Sequence, residues 1–350
     1  MIVSPPTERA GPLFSIPSPG DPDSTERLLD WFSDEPEVTR VYMGLPALGT
    51  GRATVVHVDV DTVESVAESC DSHDVDLEIV MNPLCTAEVV SNRDGFSGFE
   101  RTLSELDDAG VEHLVLSDPL LIRAALERGF HVSVSCVSEV NTPRRARYYD
   151  ELGVDEITLD TNVNRRLDVI EAIAGEVSAR LRIIVNEGCL PDCPYRPYHF
   201  CLFSHATRSE AGVVEDSYYV RCVSERLNNP TLLVQQPFVR PEDVDEYRRL
   251  GVDSFKIAGR ANSTRWIRRA VRAYLQRRYD GNLLDILDCP TTLRHLVHLD
   301  NRELDGLLER AGRCDQRCSE CGFCERLAER AVSYRGGLTD AGRPATVEAD

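Results

Sequence analysis

From Val111 onward the chain repeats one short pattern, and that pattern limits the available folds more than any other feature. A brief β-branched run ends in polar residues, a helical stretch follows, and glycine stops it. Val111–Leu116 leads to Ser117-Asp118 and a helix over Leu120–Arg128 closed by Gly129. Phe130–Val134 leads to Ser135-Cys136 and a helix over Pro143–Leu152 closed by Gly153. Val154–Leu159 leads to Asp160 and a helix over Leu167–Ile173, and Leu181–Val185 reads as the next strand. Strands alternating with helices form right-handed βαβ units, which need a parallel sheet covered on its outer face. Upstream, Val38–Met43 and Val75–Met81 read as strands, Leu13–Ile16 and Ala53–Val60 as apolar runs, and Phe99–Ala109 as an amphipathic helix capped by Gly110. Downstream, Val252–Ile257 reads as a strand, and Ser217–Cys222 and Thr231–Val234 look extended. The extended runs slightly exceed eight, so one is expected outside the sheet. A TIM-like (β/α) barrel over residues 1–280 is the first expectation. A doubly wound sheet is second, since no dinucleotide fingerprint is present.

Strand Leu181–Val185 runs into the densest chemistry in the chain: Asn186-Glu-Gly-Cys-Leu-Pro-Asp-Cys-Pro, continuing to His205. Three cysteines and two histidines fall within seventeen residues. Pro191 and Pro194 bracket Cys193 and stiffen the backbone. Soft ligands on a stiff loop at a strand end suit a metal or iron–sulfur centre better than buried thiols in a core. Cys189 and Cys193 are the first candidate ligands, and Cys222 is the third. The fourth stays open among Cys201, Cys289 and His199. Glu187 stands where barrel enzymes keep their chemistry, as a general acid or base or as an arginine partner.

From Gly281 the pattern turns helical and polar, and residues 281–338 read as a cysteine-rich, metal-binding extension. It contains Cys314, Cys318, Cys321 and Cys324, spaced C-x3-C-x2-C-x2-C. Four thiolates within eleven residues can grip one centre without help from another element. A single compressed run favours a four-iron cluster, whereas four-cysteine zinc sites usually come as two separated knuckles. The run includes the C-x3-C-x2-C of radical S-adenosylmethionine enzymes. Those place it by the first barrel strand, and here a fourth cysteine would fill the open iron position. Residues 339–350 read as a disordered acidic tail.

Acidic residues outnumber basic ones 59 to 39, and the net charge is -20. Among the basic residues Lys256 is the one lysine, and the rest are arginine. This balance fits adaptation to high salt (a halophilic chain) rather than one acidic patch. It leaves RNA substrates open, since an arginine groove can be local. Keeping a single lysine at a strand's C-terminal end, four residues before Arg260, marks Lys256 as a site candidate, because an ammonium has a tunable pKa and a guanidinium does not. Arg265–Arg278 forms a basic helix that a solvated face explains as well as a phosphate partner does. Twelve cysteines, no membrane span and no apolar signal core lead to an expected cytoplasmic protein that uses its thiols for metal or redox chemistry.

Ser254-Phe-Lys-Ile-Ala-Gly-Arg260, followed by a helix ending Val271-Arg-Ala-Tyr274, resembles the Lys-Ile-Glu-Gly-Arg segment of the U32 "peptidase" family. Asn141, Ala146, Tyr148-Tyr149 and Leu152-Gly153-Val154 resemble its Asn-helix-Leu-Gly-Val unit. With the cysteine loop, the similarity covers roughly residues 75–280. The resemblance implies a barrel-like domain with a four-iron cluster. Better understood members are similar to oxygen-independent hydroxylases acting on quinone rings or RNA bases, some with prephenate as oxygen source. Carried onto this chain, Cys189 and Cys193 match the cysteine loop, and Lys256 and Arg260 match the basic motif. Ala258 replaces the usual glutamate, and the C-terminal cysteines are an addition. The expectation is an iron–sulfur hydroxylase with one or two 4Fe-4S clusters, zinc being the alternative at the C-terminal run, and a redox partner or U32 paralogue beside it. A peptidase-like hydrolase and a non-catalytic electron carrier are the rival readings.

Overall fold

Eight parallel strands close on themselves: β1 Leu13–Pro17, β2 Val38–Gly44, β3 Asp76–Met81, β4 His113–Leu116, β5 His131–Val134, β6 Glu156–Thr158, β7 Arg180–Ile184 and β8 Val252–Lys256. The computed structural model describes residues 11–52, 58–207 and 216–335. Strand β1 pairs with both β2 and β8, which completes the ring. The short run Leu13–Ile16 is therefore the first stave. The expected extended runs Ser217–Cys222 and Thr231–Val234 are instead helical, within Ser217–Asn228 and Thr231–Gln235. Tyr218, Tyr219 and Val220 have strand propensity. Asp216 nevertheless caps the first helix by accepting from the Tyr219 amide at 2.9 Å, and Val223 and Arg226 bury one helical face. Part of the run Ala53–Val60 and all of residues 339–350 lie outside the described residues. Of that run, Val60 opens the helix Val60–Ser72.

Helices sheathe the barrel for reasons visible in their spacing. Arg93–Asp108, longer than the sequence suggested, buries Phe99, Leu103 and Leu106. Thr264–Leu275 buries Trp266, Ile267, Ala270, Val271 and Tyr274 and turns its arginines outward. The barrel interior departs from the branched aliphatic filling usual for this architecture. Arg182 holds Glu78 through two hydrogen bonds of 2.8 and 2.9 Å and also pairs with Glu156. Arg40 reaches the same carboxylates at 3.3 and 3.1 Å, and Ser15, Ser133 and Ser254 occupy the remaining polar sites. Arg182, Glu78 and Glu156 are fully buried. Such a network is specific rather than strongly stabilising, since desolvation offsets most of the Coulomb attraction.

Above that polar layer the strands turn in Tyr42, Val80, Val115, Thr158, Ile184 and Lys256, which floor a hollow at their C-terminal ends. Beyond Gly281 the chain is less polar in its packing than its composition suggests. Leu283, Leu284, Ile286, Leu287, Leu293, Val297, Leu299 and Leu304 are fully buried in the same core as the barrel helices. A small antiparallel pair, β9 Val297–Leu299 and β10 Val332–Tyr334, finishes the described chain. Among the described residues no helix is long and apolar enough to cross a membrane.

Candidate functional site

After β7 the chain rises to the mouth and is fixed there by its own side chains. Asn186 clamps Ala258 with two hydrogen bonds of 2.8 and 2.7 Å and also donates to the Ile286 carbonyl at 3.2 Å. Glu187 makes a parallel bridge with Asp288. Gly188 is needed at this crossing. A Cβ there would stand 2.5 Å from the Cys289 Cβ and 2.6 Å from the Asp288 carbonyl oxygen. This close approach carries Cys289 up beside Cys189.

The loop that follows is held at several points. The Cys189 amide donates to Glu187 at 3.0 Å, and the Asp192 amide donates to Asn162 at 3.1 Å. Arg196 reaches back to Asp160 and Thr161, both at 2.7 Å. Helix Arg196–Ala206 then turns Arg196, His199, Phe200 and Phe203 into the mouth. Cys201 lies on the opposite helical face and is not among the residues lining the hollow, whereas Cys289 is. Helix Ser217–Asn228 contributes Cys222 and, one turn later, Arg226.

The resulting cavity, ≈ 320 Å³, is lined by Cys136, Cys189, Cys193, Cys222 and Cys289. Tyr195, Phe200, Phe203 and Tyr218 give it aromatic walls, and Arg52, Arg196, Arg226, Arg260 and Arg294 give it cationic ones. Of the expected residues, the fold brings together Cys189, Cys193, Cys222, Glu187, Lys256 and Arg260, the carboxylate just behind the wall. It leaves Cys201 out and places Cys314, Cys318, Cys321 and Cys324 at a separate hollow. Arg52, Arg226 and Asp288 are additions that the sequence did not announce. Arg52 comes from the glycine-rich loop after β2. Asn82 also lines the mouth, whereas Asn186 serves as a clamp.

Both oxygens of Glu187 are engaged, one by Arg52 and one by the Cys189 amide. Burial alone would raise its pKa, but Arg52 and Arg196 outweigh that and hold it ionised. The geometry makes it an anchor for Arg52, which also pairs with Asp288 at 2.6 Å. Arg260 donates to the Arg52 carbonyl at 2.7 Å. Lys256 is different: its Nζ stands 3.6 Å from the centroid of the Tyr42 ring. Desolvation, opposed by Glu78 and reinforced by Arg182, pushes its pKa down to about 7. Gly259, at φ 129, follows closely, and a Cβ there would meet Trp266 at 2.2 Å.

Cys289 is buried, and Cys189, Cys193 and Cys222 are half-buried. Burial, joined by Glu187, drives Cys189 well above its ordinary value, and burial raises Cys222 and Cys289 as well. A soft metal displaces such protons on binding. The fit is tested by Arg226, which is 0% exposed and, among the described residues, has no hydrogen-bond partner for any of its three guanidinium nitrogens. A buried cation without a partner is costly unless an anion faces it. Four thiolates around a cubane carry net negative charge and sulfurs that accept N–H bonds, so the residues fit an iron–sulfur cluster. Among the described residues no three His, Cys, Asp or Glu side chains converge as a single bound ion requires. A cubane is wider than one ion, and its thiolates stand correspondingly further apart.

Comparison with known proteins agrees with this architecture. Residues 33–280 match the family described as Peptidase family U32. A protein of Methanocaldococcus jannaschii named as an uncharacterized protease is 39% identical over 332 residues, which span 92% of this chain and 100% of that protein. The solved structure of the U32 peptidase Mk0906 superimposes with a TM-score of 0.54 at 23% identity, covering 73% of this chain and 96% of that one. At that identity the structural likeness speaks for the fold alone.

Proposed function

This chain belongs to peptidase family U32, and from that premise we propose that it is an iron–sulfur enzyme carrying out an oxygen-independent hydroxylation, or a related redox modification, of a planar ring. The observation that carries the reading is the mouth itself, where Cys189, Cys193, Cys222 and Cys289 share one cavity with the unpaired, fully buried Arg226. Cys189, Cys193 and Cys222, with Cys289 as the fourth, would hold a four-iron cluster. When bound, that cluster supplies one-electron redox chemistry at iron.

The remaining roles belong to the chain. Phe200, Phe203 and Tyr218 offer flat faces against which a quinone ring or nucleobase can stack. Arg260 presents positive charge to an anionic substituent or phosphate at the mouth. Lys256 sits at the floor with an Nζ able to take or give a proton near neutrality, as its pKa of about 7 requires. Arg52 is fixed by Glu187 and Asp288.

The description of the archaeal relative as a protease makes a hydrolase the second reading, and His199 is the observation in its favour. It lines the mouth and bonds Asp216 at 2.9 Å. A base oriented by a carboxylate is two-thirds of a triad, but among the described residues no serine or cysteine is hydrogen-bonded to it. The separating experiment deletes the gene in its host and compares quinones and RNA nucleosides by mass spectrometry. Loss of one species bearing a single extra oxygen, restored by the wild type but not by Cys222→Ser, is the expected result. Unchanged quinones and nucleosides, together with peptide cleavage by iron-free protein, would overturn it.

A further inference from the structure

A second cysteine-lined hollow, ≈ 640 Å³, opens at the barrel rim. Cys314, Cys318, Cys321 and Cys324 all line it, and all four lie beyond the residues that match the family. Local structure explains how they meet. Cys318–Cys321 forms one helical turn, Gly322 reverses the chain at φ 59, and Phe323 opens the next helix. Nitrogen donors already face the sulfurs. Arg310 Nη2 donates to Cys321 Sγ at 3.0 Å, and Gln235 Nε2 to Cys318 Sγ at 3.6 Å. Arg165 lines the same hollow, and its Nη2 is buried with no hydrogen-bond partner among the described residues. N–H groups directed at sulfur are the usual setting of a thiolate-held cluster and tune its potential.

The opposite wall is the decisive feature. Pro191 and Asp192 line this hollow, while their neighbours Cys189, Leu190 and Cys193 line the mouth. One five-residue loop therefore separates the two cysteine groups. We propose that Cys314, Cys318, Cys321 and Cys324 hold a second four-iron cluster, which passes single electrons through the Cys189–Cys193 loop to the centre at the mouth. The proposal rests on the reading of the mouth as an iron–sulfur site. The relay needs a reduced one-electron carrier protein, which would dock on the open side where Cys314 and Cys318 are exposed. One electron leaves the carrier, reduces the rim cluster by one, and then leaves it for the mouth, and no bond or proton changes hands. Zinc at the rim would be unable to do this, because it has no accessible second oxidation state.

The test uses the full-length chain purified without oxygen. Wild type should contain about eight irons and about eight labile sulfides, and Cys318→Ser/Cys321→Ser about four of each. The irons that remain in that double variant show that the barrel is still folded. Electron paramagnetic resonance of the reduced wild type should be broadened by coupling between two nearby clusters, and the spectrum should sharpen in the variant. Reduction of the mouth cluster by a reduced bacterial ferredoxin should slow at the same time. A wild type with only about four irons, unchanged in Cys318→Ser/Cys321→Ser and lost in Cys222→Ser, would overturn the rim centre alone, as would zinc at the rim of wild type. A wild-type chain with no iron at all would overturn the mouth reading as well.

Discussion

The two cysteine groups are built in opposite ways. The rim group comes from one short segment, so its spacing is set by local chain geometry and its thiols are partly open to solvent. The mouth group is assembled from the β7 loop, a helix after the first cysteine loop and the Asp288–Cys289 crossing, and its thiols are half-buried, Cys289 fully so. Each construction has a physical consequence. A local group can form around its metal with little help from the fold, whereas a dispersed one depends on the barrel being closed and correctly paired. The dispersed group also holds a buried, unpartnered arginine, so the metal-free fold carries a cost there that binding removes.

The largest effect expected from probing this contrast is at Arg226. Arg226→Met should raise the stability of the metal-free chain by about 1–3 kcal/mol, because an unsatisfied buried polar group is removed. The same change should speed cluster loss from the loaded protein. Urea unfolding of the apo form and the decay of visible absorbance in the holo form read the two arms. A metal-free chain destabilised by the substitution would mean that Arg226 has a partner other than the cluster.

Lys256 gives a smaller, pH-dependent effect. Its folded pKa of about 7 lies below the 10.5 of a free lysine, so between those values the unfolded chain binds more protons than the native one. Native stability therefore rises with pH across that window, and below about pH 7 the fold bears the full cost of a desolvated ammonium. Lys256→Met should stabilise most below pH 7, with the gain fading toward 10.5. It should also remove the limb near pH 7 from the activity profile. Unfolding curves at several pH values and a pH–rate profile check both. A gain that grows with pH would contradict the assignment.

The smallest effect belongs to the rim. Cys314 is exposed, and Cys314→Ser should change the stability of the metal-free chain by no more than about 0.5 kcal/mol. Iron at the rim should still fall. A large loss of apo stability would mean that the rim thiols are packing residues.

The same contrast explains what the sequence could disclose. The rim run was readable because all four cysteines lie together, and the barrel because β/α alternation is a local period. Cys189, Cys193 and Cys222 were legible as candidates, yet seeing that Cys289 lines the mouth and Cys201 does not required knowing that Gly188 brings Asp288–Cys289 against the loop. It also required knowing which helical face Cys201 occupies. Arg226 was hidden for a related reason: the expected strand Ser217–Cys222 stops before it, whereas the helix Ser217–Asn228 runs on and sets Arg226 one turn beyond Cys222. Arg52 was hidden in a glycine-rich loop whose partners, Glu187 and Asp288, come from distant parts of the chain. The charged barrel interior left no mark in the strand pattern beyond inward polar residues such as Glu78 and Arg182, which become intelligible only once paired.

Iron and labile sulfide in two oxygen-free preparations test the centre of this account most directly. Cys289→Ser should lose about four irons relative to wild type, and Cys201→Ser none. Equal iron in Cys289→Ser and wild type, or loss of iron in Cys201→Ser alone, would contradict the proposed cluster at the barrel mouth.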